Sequence, residues 1–250
     1  QKLFCVCKGS FSQLRALPLS KALLLPNIKA LGYGSISKRK TRGAFMKPFI
    51  DQATEIHKDI IDMRRKLHSN PELSFKEYQT TQYIKQILDK LDIEIVDWGG
   101  ETGVVGLLKG KAPGPVVALR ADIDALPVLE ENDCEYRSQN SGIMHACGHD
   151  VHTACLLGAA MLLAECRDRI KGTIQFIFQP AEEINAGAKF MLSQGIFDNP
   201  VPAVIFGLHN SPNIPSGQVC LKVGQFPRCL TLSWRRVGLV GMGSRSQPAA

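Results

Sequence analysis

Hydrophobic residues in the central part of the chain recur with the spacing of amphipathic helices. The first predicted helix places four apolar residues on one face: Ile56, Ile60, Met63 and Leu67. It should end before Asn70-Pro71, because proline disfavours a helical conformation in the residue that precedes it. A second helix carries Ile84, Ile87, Leu88 and Leu91. Two more are predicted over about Thr153–Glu165 and Ala186–Gln194, and the former has small or apolar residues on most faces, which indicates burial.

Short apolar runs between these helices predict β-strands. They cover Ile93–Trp98, Gly103–Leu108, Pro115–Leu119, Thr173–Phe178 and Val204–Leu208. Strands that alternate with helices are typical of sheets with parallel members. We therefore predict an α/β fold with a mixed, largely parallel sheet and flanking helices.

Charge is unevenly distributed along the 250 residues. The formal net charge is +7, but residues 1–50 carry ten Lys or Arg and no acidic residue, whereas residues 51–225 carry 16 basic and 23 acidic groups. An acidic central region between basic ends is not typical of a nucleic-acid-binding protein. The longest apolar run, Ala154–Ala164, is too short to span a bilayer. We expect neither a nucleic-acid partner nor a membrane partner.

The N-terminal region differs in character from the centre. Residues 1–45 are basic, with Leu-rich patches, which is typical of an organellar transit peptide or of a disordered extension; non-native upstream sequence before a start at Met46 is the alternative. The eight cysteines show no disulfide-like spacing, which favours a reducing compartment. We expect a cytoplasmic protein, or a mitochondrial or plastid protein if residues 1–45 are a transit peptide.

Four polar clusters follow predicted strands, and ligand sites in open α/β sheets collect at the carboxyl ends of strands. The first cluster, Arg120–Pro127, contains Asp122 and Asp124. Alternation along an extended chain puts both carboxylates on one side, where they could orient a histidine. A capped turn before Pro127 is the structural alternative.

The second cluster, His145–His152, holds three histidines, one cysteine and one aspartate in eight residues. These groups bind transition metals and are costly to bury without a partner. In an extended loop, Cys147 and His149 can point at one centre, and Gly148 between them relaxes the backbone. The alternatives are a polar loop without chemistry, or Cys147 as a nucleophile with a histidine base, which would leave the other clusters without a role.

The third and fourth clusters are Gln179–Glu183 and Gly207–Asn210. In an extended segment Glu182 and Glu183 point in opposite directions, so that one could bind a metal while the other takes a proton from metal-bound water. His209 would supply another ligand, although a lone histidine at a strand end is often structural. Taken together, the candidate ligands are Cys147, His149, Glu183 and His209. Their donor types suit Zn²⁺, Mn²⁺, Co²⁺ or Ni²⁺ rather than Ca²⁺ or Mg²⁺.

In this order, the clusters resemble the amidohydrolase branch of the aminoacylase/carboxypeptidase metallopeptidase superfamily. That branch includes hippurate hydrolases, indole-3-acetyl-amino-acid hydrolases and N-acetyl-diaminopimelate deacetylases. The matching stretches are Leu67–Leu73, Ala118–Val128, Met144–Ala154, Phe178–Glu183 and Gly207–Asn210. The resemblance implies a zinc-exopeptidase-like fold, with the N-terminal part of a metallohydrolase catalytic domain over residues 46–224.

The resemblance also implies the site and its reaction. Two divalent metal ions, Mn or Zn, would share Cys147 and be held by His149, Glu183 and His209. Glu182 would be the general base that deprotonates a metal-bound water and then protonates the leaving amine.

A catalytic role for Asp124 is implied more loosely, as support for the site, and His145 and His152 are predicted to orient the ligands from behind. The implied substrate is an N-acyl amino acid, and a dipeptidase or carboxypeptidase of the same superfamily is the alternative.

The C-terminal region departs from the family pattern. The family has a further histidine ligand and a lid or dimerisation domain downstream, whereas residues 225–250 are acid-free and contain Trp234-Arg235-Arg236. We expect an aberrant tail in place of the lid, with the lid domain missing or incomplete and a homodimer only if a lid were present. The second hypothesis is therefore an inactive, truncated fragment that retains partial metal binding.

Overall fold

A computed structural model describes residues 4–6 and 43–210 of the chain, with side chains from residue 49 onward. Its helices are α1 (Gly43–Glu55), α2 (His57–Ser69), α3 (Tyr78–Lys90), α4 (His149–Glu165) and α5 (Gly187–Ser193), with a short 3-10 helix at Arg167–Arg169. Its strands are β1 (Phe4–Val6), β2 (Glu94–Val96), β3 (Val104–Lys109), β4 (Ala112–Asp122), β5 (Lys171–Gln179) and β6 (Val204–Leu208).

These strands form one sheet in the order β1-β6-β4-β5-β3-β2. Strand β4 pairs in parallel with both β5 and β6, and β1 pairs in parallel with β6. Strands β3 and β2 are added antiparallel at the other side. The predicted α/β fold with a mixed, largely parallel sheet is confirmed.

Alternating side chains of the strands build a core on each face of the sheet. In β5, Phe176 and Phe178 belong to one buried cluster and Ile177 belongs to the other. The first cluster also takes in the apolar faces of α2, α3 and α4, and the second lies under α5. Because successive strand residues point to opposite faces, both faces of the sheet are covered.

Helix α4 is buried along most of its length, as its small and apolar residues predicted. It packs so closely on α2 that a Cβ atom at Gly158 would lie only 2.7 Å from Cδ1 of Ile60. The helix begins at His149 rather than near Thr153, so two histidines of the second polar cluster belong to its first turn. Local periodicity missed this start because the first turn is polar and its partners come from elsewhere in the fold.

Within the described residues, no helix combines the length and apolar character needed to cross a bilayer. Strand β1 comes from the segment predicted as a basic extension. The rest of residues 1–42, the segment 211–224 and the tail 225–250 lie outside the described residues, so the predictions made for them stay predictions.

Candidate metal centre

The polar clusters meet at the carboxyl ends of three neighbouring parallel strands. Strand β4 ends at Asp122, which lies opposite Gln179 at the end of β5, and Arg120 lies opposite Gly207 near the end of β6. Helix α4 begins at this edge with His149. The parallel topology therefore brings together segments that are far apart in sequence, at the edge where ligand sites form in such sheets.

Three of the four predicted ligands lie in one cluster. One donor atom each from Cys147, His149 and Glu183 falls within 4.8 Å of the other two. The chain does not pass through this cluster as the extended loop that we expected. Gly148 adopts φ +88°, in the left-handed region that favours glycine, and turns the chain directly into α4.

The imidazole of His149 is oriented from behind by Asp124. Its Nδ1 lies 2.9 Å from the backbone carbonyl oxygen of Asp124 and 3.2 Å from Oδ1 of the same residue. Because a carbonyl oxygen only accepts, Nδ1 carries the proton in this bond, and the lone pair of the neutral ring is on Nε2. Histidine ligands are commonly held in this way by an outer carbonyl or carboxylate.

The donor set fits a transition-metal ion. Nε2 of His149 and Oε1 of Glu183 are buried and have no conventional hydrogen-bond partner among the described residues, and the Cys147 thiol lies close to both. Buried polar atoms without partners are costly, and a bound cation would satisfy them. Sulfur, imidazole nitrogen and carboxylate oxygen together suit Zn²⁺, Mn²⁺, Co²⁺ or Ni²⁺.

The electrostatic environment also favours a cation. Burial disfavours the imidazolium form of His149, but the carboxylates of Asp122 and Asp124 outweigh burial and raise the pKa of this histidine well above its usual value. Carboxylates that favour a proton on His149 equally favour a divalent ion beside it.

Asp124 is a buried positioning group. Only 1% of its surface is exposed, and its Oδ2 accepts hydrogen bonds from the Ser74 hydroxyl at 2.7 Å and from the Glu183 backbone N–H at 3.0 Å. Together with its bond to His149, these contacts link two candidate ligands through one side chain. Both carboxylate oxygens of Asp124 are thus engaged by groups of the cluster and its surroundings, and its role in the reaction stays a prediction.

Glu182 and Glu183 lie in a turn rather than in the extended segment that we predicted. Ala181 has φ +49°, and the Asn185 N–H donates to the Glu182 carbonyl at 2.8 Å. Both carboxylates consequently approach the same atom, His149 Nε2, at 3.8 Å for Glu182 and 3.7 Å for Glu183. The prediction that adjacent side chains diverge was wrong about the backbone, although it placed both glutamates at the site.

The pKa of each glutamate is raised. For Glu182 the main cause is burial, followed by the negative charge of Asp122; for Glu183 burial is also the largest cause. A carboxylate whose pKa is raised binds a proton more tightly, which is what a general base requires.

His209 lies beside the cluster, next to His152, with 5.3 Å between their ring centroids. His152 Nδ1 is 2.5 Å from Oδ1 of Asp122, and its Nε2 accepts the backbone N–H of Asn210 at 2.8 Å. Both nitrogens of His152 are therefore within hydrogen-bond distance of partners, and its orienting role stays a prediction. Asp122 in turn accepts a bond from Arg120. This chain of contacts fixes the backbone next to His209.

A second buried polar network lies behind the first turn of α4. Oδ2 of Asp150 lies 2.7 Å from His68 Nδ1 and 2.8 Å from Arg64 Nε, and His68 Nε2 lies 3.0 Å from Glu130 Oε1. Burial disfavours the imidazolium form of His68, but the bonds to Asp150 and Glu130 outweigh burial and raise its pKa. His145 is buried nearby, and burial lowers its pKa to about 4.

The raised pKa of His68 predicts that part of the protein's stability is lost as pH rises above about 6.5. A folded-state pKa above the unfolded value of about 6.5 contributes stability below pH 6.5, and this contribution is lost as pH rises through the folded-state pKa. We expect the free energy of unfolding of the wild type to exceed that of His68→Gln by more at pH 5.5 than at pH 9. One proton limits the slope of this difference to about 1.4 kcal/mol per pH unit.

Urea denaturation across this pH range measures the effect. His57→Gln, at the half-exposed start of α2, is the matched control for loss of an imidazole outside this buried network. A difference for His68→Gln that stays constant with pH would contradict the prediction.

The sequence analysis did not single out Ser74 and Glu77, which lie just after the stretch Leu67–Leu73. Leu73 forms a parallel bridge with Ala125, and this bridge brings the segment against Asp124. The available signal was the position of two polar residues between a recognised motif and the next helix, but their partners are distant in sequence.

A known protein family matches the segment of the chain that carries the candidate site. The model for Peptidase family M20/M25/M40 matches residues 118–247 of this chain, which include the C-terminal half of β4, all of α4, β5 and β6, and the candidate residues named above from Asp122 to His209. The chain belongs to this family. The predicted resemblance is thereby confirmed.

Individual M20 relatives agree with this assignment. An N-acetylcysteine deacetylase of Bacillus subtilis is 52% identical over 169 residues, which are 67% of this chain and 44% of the relative. An N-acyl-L-amino acid amidohydrolase of Geobacillus stearothermophilus is 43% identical over 171 residues, 68% of this chain and 46% of the relative. The chain therefore spans less than half the length of these curated relatives.

A solved M20 structure from Bacillus subtilis, described as a dinuclear metal-binding peptidase, is 51% identical to this chain. It aligns with a TM-score of 0.62 over 65% of this chain and 45% of the solved chain. The described fold is thus the fold of an M20 peptidase.

Proposed function

We propose that the protein is a metal-dependent amidohydrolase that cleaves the amide bond of N-acyl amino acids. The observation that carries the proposal is the convergence of one donor atom each from Cys147, His149 and Glu183 within 4.8 Å, with a second carboxylate, Glu182, 3.8 Å from His149 Nε2. Membership of the M20 family and relatives named for N-acyl amino acid hydrolysis support it.

The proposed ligands of two divalent ions, Mn²⁺ or Zn²⁺, are Cys147, which both ions would share, and His149, Glu183 and His209. The solved M20 structure described as a dinuclear metal-binding peptidase supports the proposal of two metal ions. When bound, divalent ions supply Lewis acidity at the scissile carbonyl and acidify water in the site. Glu182 accepts the proton of the attacking water and passes it to the nitrogen of the leaving amine, so the carboxylate is unchanged after each turnover. Asp124 keeps His149 and the backbone of Glu183 in place.

We infer that the protein works in a reducing compartment, and we propose the cytoplasm. No disulfide bond joins the cysteines within residues 49–210, and a metal ligand such as Cys147 requires a reduced thiol. Fluorescence localisation of the tagged full chain tests this, and an organellar signal would support the transit-peptide alternative for residues 1–45.

Hydrolysis of N-acetyl and N-aroyl amino acids tests the proposed activity. We expect turnover by the full 250-residue chain after addition of Mn²⁺ or Zn²⁺, loss of turnover with a chelator, and recovery when metal is restored. Metal binding without any turnover would contradict the enzyme proposal for this chain and support the binding-only hypothesis. Faster cleavage of dipeptides than of N-acyl amino acids would instead favour a peptidase.

A further inference from the structure

Glu77 is a buried acidic residue that the proposed reaction does not use. It lies immediately before α3, is fully buried, and its Oε1 accepts the backbone N–H of Ala181 at 2.8 Å. Ala181 directly precedes Glu182 and has φ +49°, a conformation that alanine adopts only when its surroundings hold it there. A side chain from a distant helix thus bonds to the strained residue of the turn that carries both glutamates.

The same turn is enclosed on its other sides by backbone. The Ala181 carbonyl accepts the N–H groups of Ala186 and Gly187 at 3.2 and 3.0 Å. A Cβ atom at Gly187 would lie 1.6 Å from the Pro180 carbonyl oxygen, and one at Gly103 would lie 2.6 Å from Pro180 Cδ. These contacts hold the carbonyl of Ala181 and the neighbouring Pro180, whereas the N–H of Ala181 is held by its hydrogen bond to Glu77.

We propose that Glu77 is a positioning residue that sets the geometry of Glu182 and Glu183 by holding the Ala181 N–H. The proposal rests on the proposed function, because those two glutamates are the candidate base and a candidate metal ligand. Among the described residues, Glu77 forms no hydrogen bond or ion pair with His149 or Cys147, so it acts through the turn. Its carboxylate is fully buried, and the amide of glutamine would present an acceptor oxygen of the same shape in the same place, so we expect glutamine to hold the Ala181 N–H equally well.

Two substitutions at Glu77 separate this role from a general contribution to folding. Glu77→Gln keeps an Oε1 that accepts the Ala181 N–H, whereas Glu77→Leu keeps the size but removes the acceptor. Gln175→Leu is the matched control, because Gln175 is also buried and donates one long-range bond, to the Ile196 carbonyl at 2.8 Å in the second core. Leucine there removes a buried bond of similar type away from the turn.

The readouts are Co²⁺ affinity, followed by the thiolate-to-Co²⁺ absorbance of the full chain, and hydrogen exchange of the Ala181 amide. We expect Glu77→Leu to weaken Co²⁺ binding at least about 10-fold, the scale for losing an outer partner of a metal ligand, and to speed exchange at Ala181. Glu77→Gln should retain wild-type affinity and slow exchange. Gln175→Leu should lower stability but leave both readouts unchanged.

The outcomes distinguish the inference from the function on which it rests. Three results would each overturn the inference. The first is wild-type Co²⁺ affinity in Glu77→Leu, and the second is a loss of Co²⁺ affinity in Gln175→Leu equal to that in Glu77→Leu. The third is a loss of Co²⁺ affinity in Glu77→Gln as large as that in Glu77→Leu. If Glu77→Leu does not fold, Glu77→Asp replaces it, since its shorter carboxylate no longer reaches the amide. If the wild type binds no Co²⁺, the proposed function fails, while exchange at Ala181 still shows whether Glu77 holds the turn.

Discussion

Replacement of Glu182 by glutamine is expected to lower turnover of N-acyl amino acids by about 10²- to 10⁴-fold, the contribution typical of a general acid–base group. Metal affinity should stay close to wild type. Glutamine has almost the same shape as glutamate but cannot accept and return a proton near neutral pH. The carboxylate of Glu182 is 3.8 Å from His149 Nε2, and its raised pKa, caused first by burial, suits it to hold a proton during the reaction.

The measurement is kcat for Glu182→Gln with Mn²⁺ or Zn²⁺ present, alongside a metal titration of the same variant. Glu131→Gln, on an exposed loop position, is the control for loss of one carboxylate and should keep wild-type kcat. Turnover that survives the Glu182 substitution would show that another group is the base. A fall in turnover that follows a fall in metal affinity would instead identify Glu182 as a ligand.

Replacement of His149 by asparagine is expected to weaken Co²⁺ or Zn²⁺ binding by at least about 100-fold and to abolish turnover with it. Loss of a residue that only supports a metal ligand weakens binding by about 10- to 100-fold, so loss of the ligand itself should cost at least the upper end of that range. The asparagine amide can donate to the Asp124 carbonyl as Nδ1 of histidine does, at 2.9 Å in the wild type. It carries no atom in the place of Nε2, which lies 3.7 Å from Oε1 of Glu183 in the wild type. The substitution therefore removes the ligand while it preserves the bond behind it.

Isothermal titration with Zn²⁺, together with Co²⁺ absorbance, measures the loss. His57→Asn, half-exposed at the start of α2, is the matched control and should bind metal as the wild type does. Because the substituted side chain retains the donor to Asp124, the unfolding transition should remain cooperative. Unchanged metal affinity in a folded His149→Asn protein would exclude His149 from the ligand set and move the site elsewhere.

The secondary structure could be predicted closely because hydrophobic periodicity is a local property. Helix α2 and strands β3 and β6 lie within one or two residues of their expected bounds. The start of α4 could not be predicted, since its first turn consists mostly of polar residues whose partners are distant. Asp150 of that turn bonds to His68, 82 residues earlier in the chain. A polar turn with such partners has no apolar period from which a helix can be recognised.

For the candidate site, too, one part could be predicted from the sequence and another part could not. The order and spacing of the polar clusters along the chain were enough to identify the family, because its motifs are short runs of consecutive residues. They also singled out the candidate site residues, which are Cys147, His149, Glu182, Glu183 and His209. The directions in which these side chains point could not be predicted from the sequence. The backbone at Glu182 and Glu183 is a turn held by Glu77, which is 104 residues away from Ala181.

Distant contacts also govern the state of each donor. The tautomer of His149 follows from a carbonyl 25 residues earlier, and the placement of Asp124 behind the ligands follows from its bonds to Ser74 and Glu183. Local pattern thus specifies which chemical groups are present and in what order. Which atom of each group faces the centre depends on hydrogen bonds between distant segments, and these form only when parallel strands bring their carboxyl ends to one edge of the sheet.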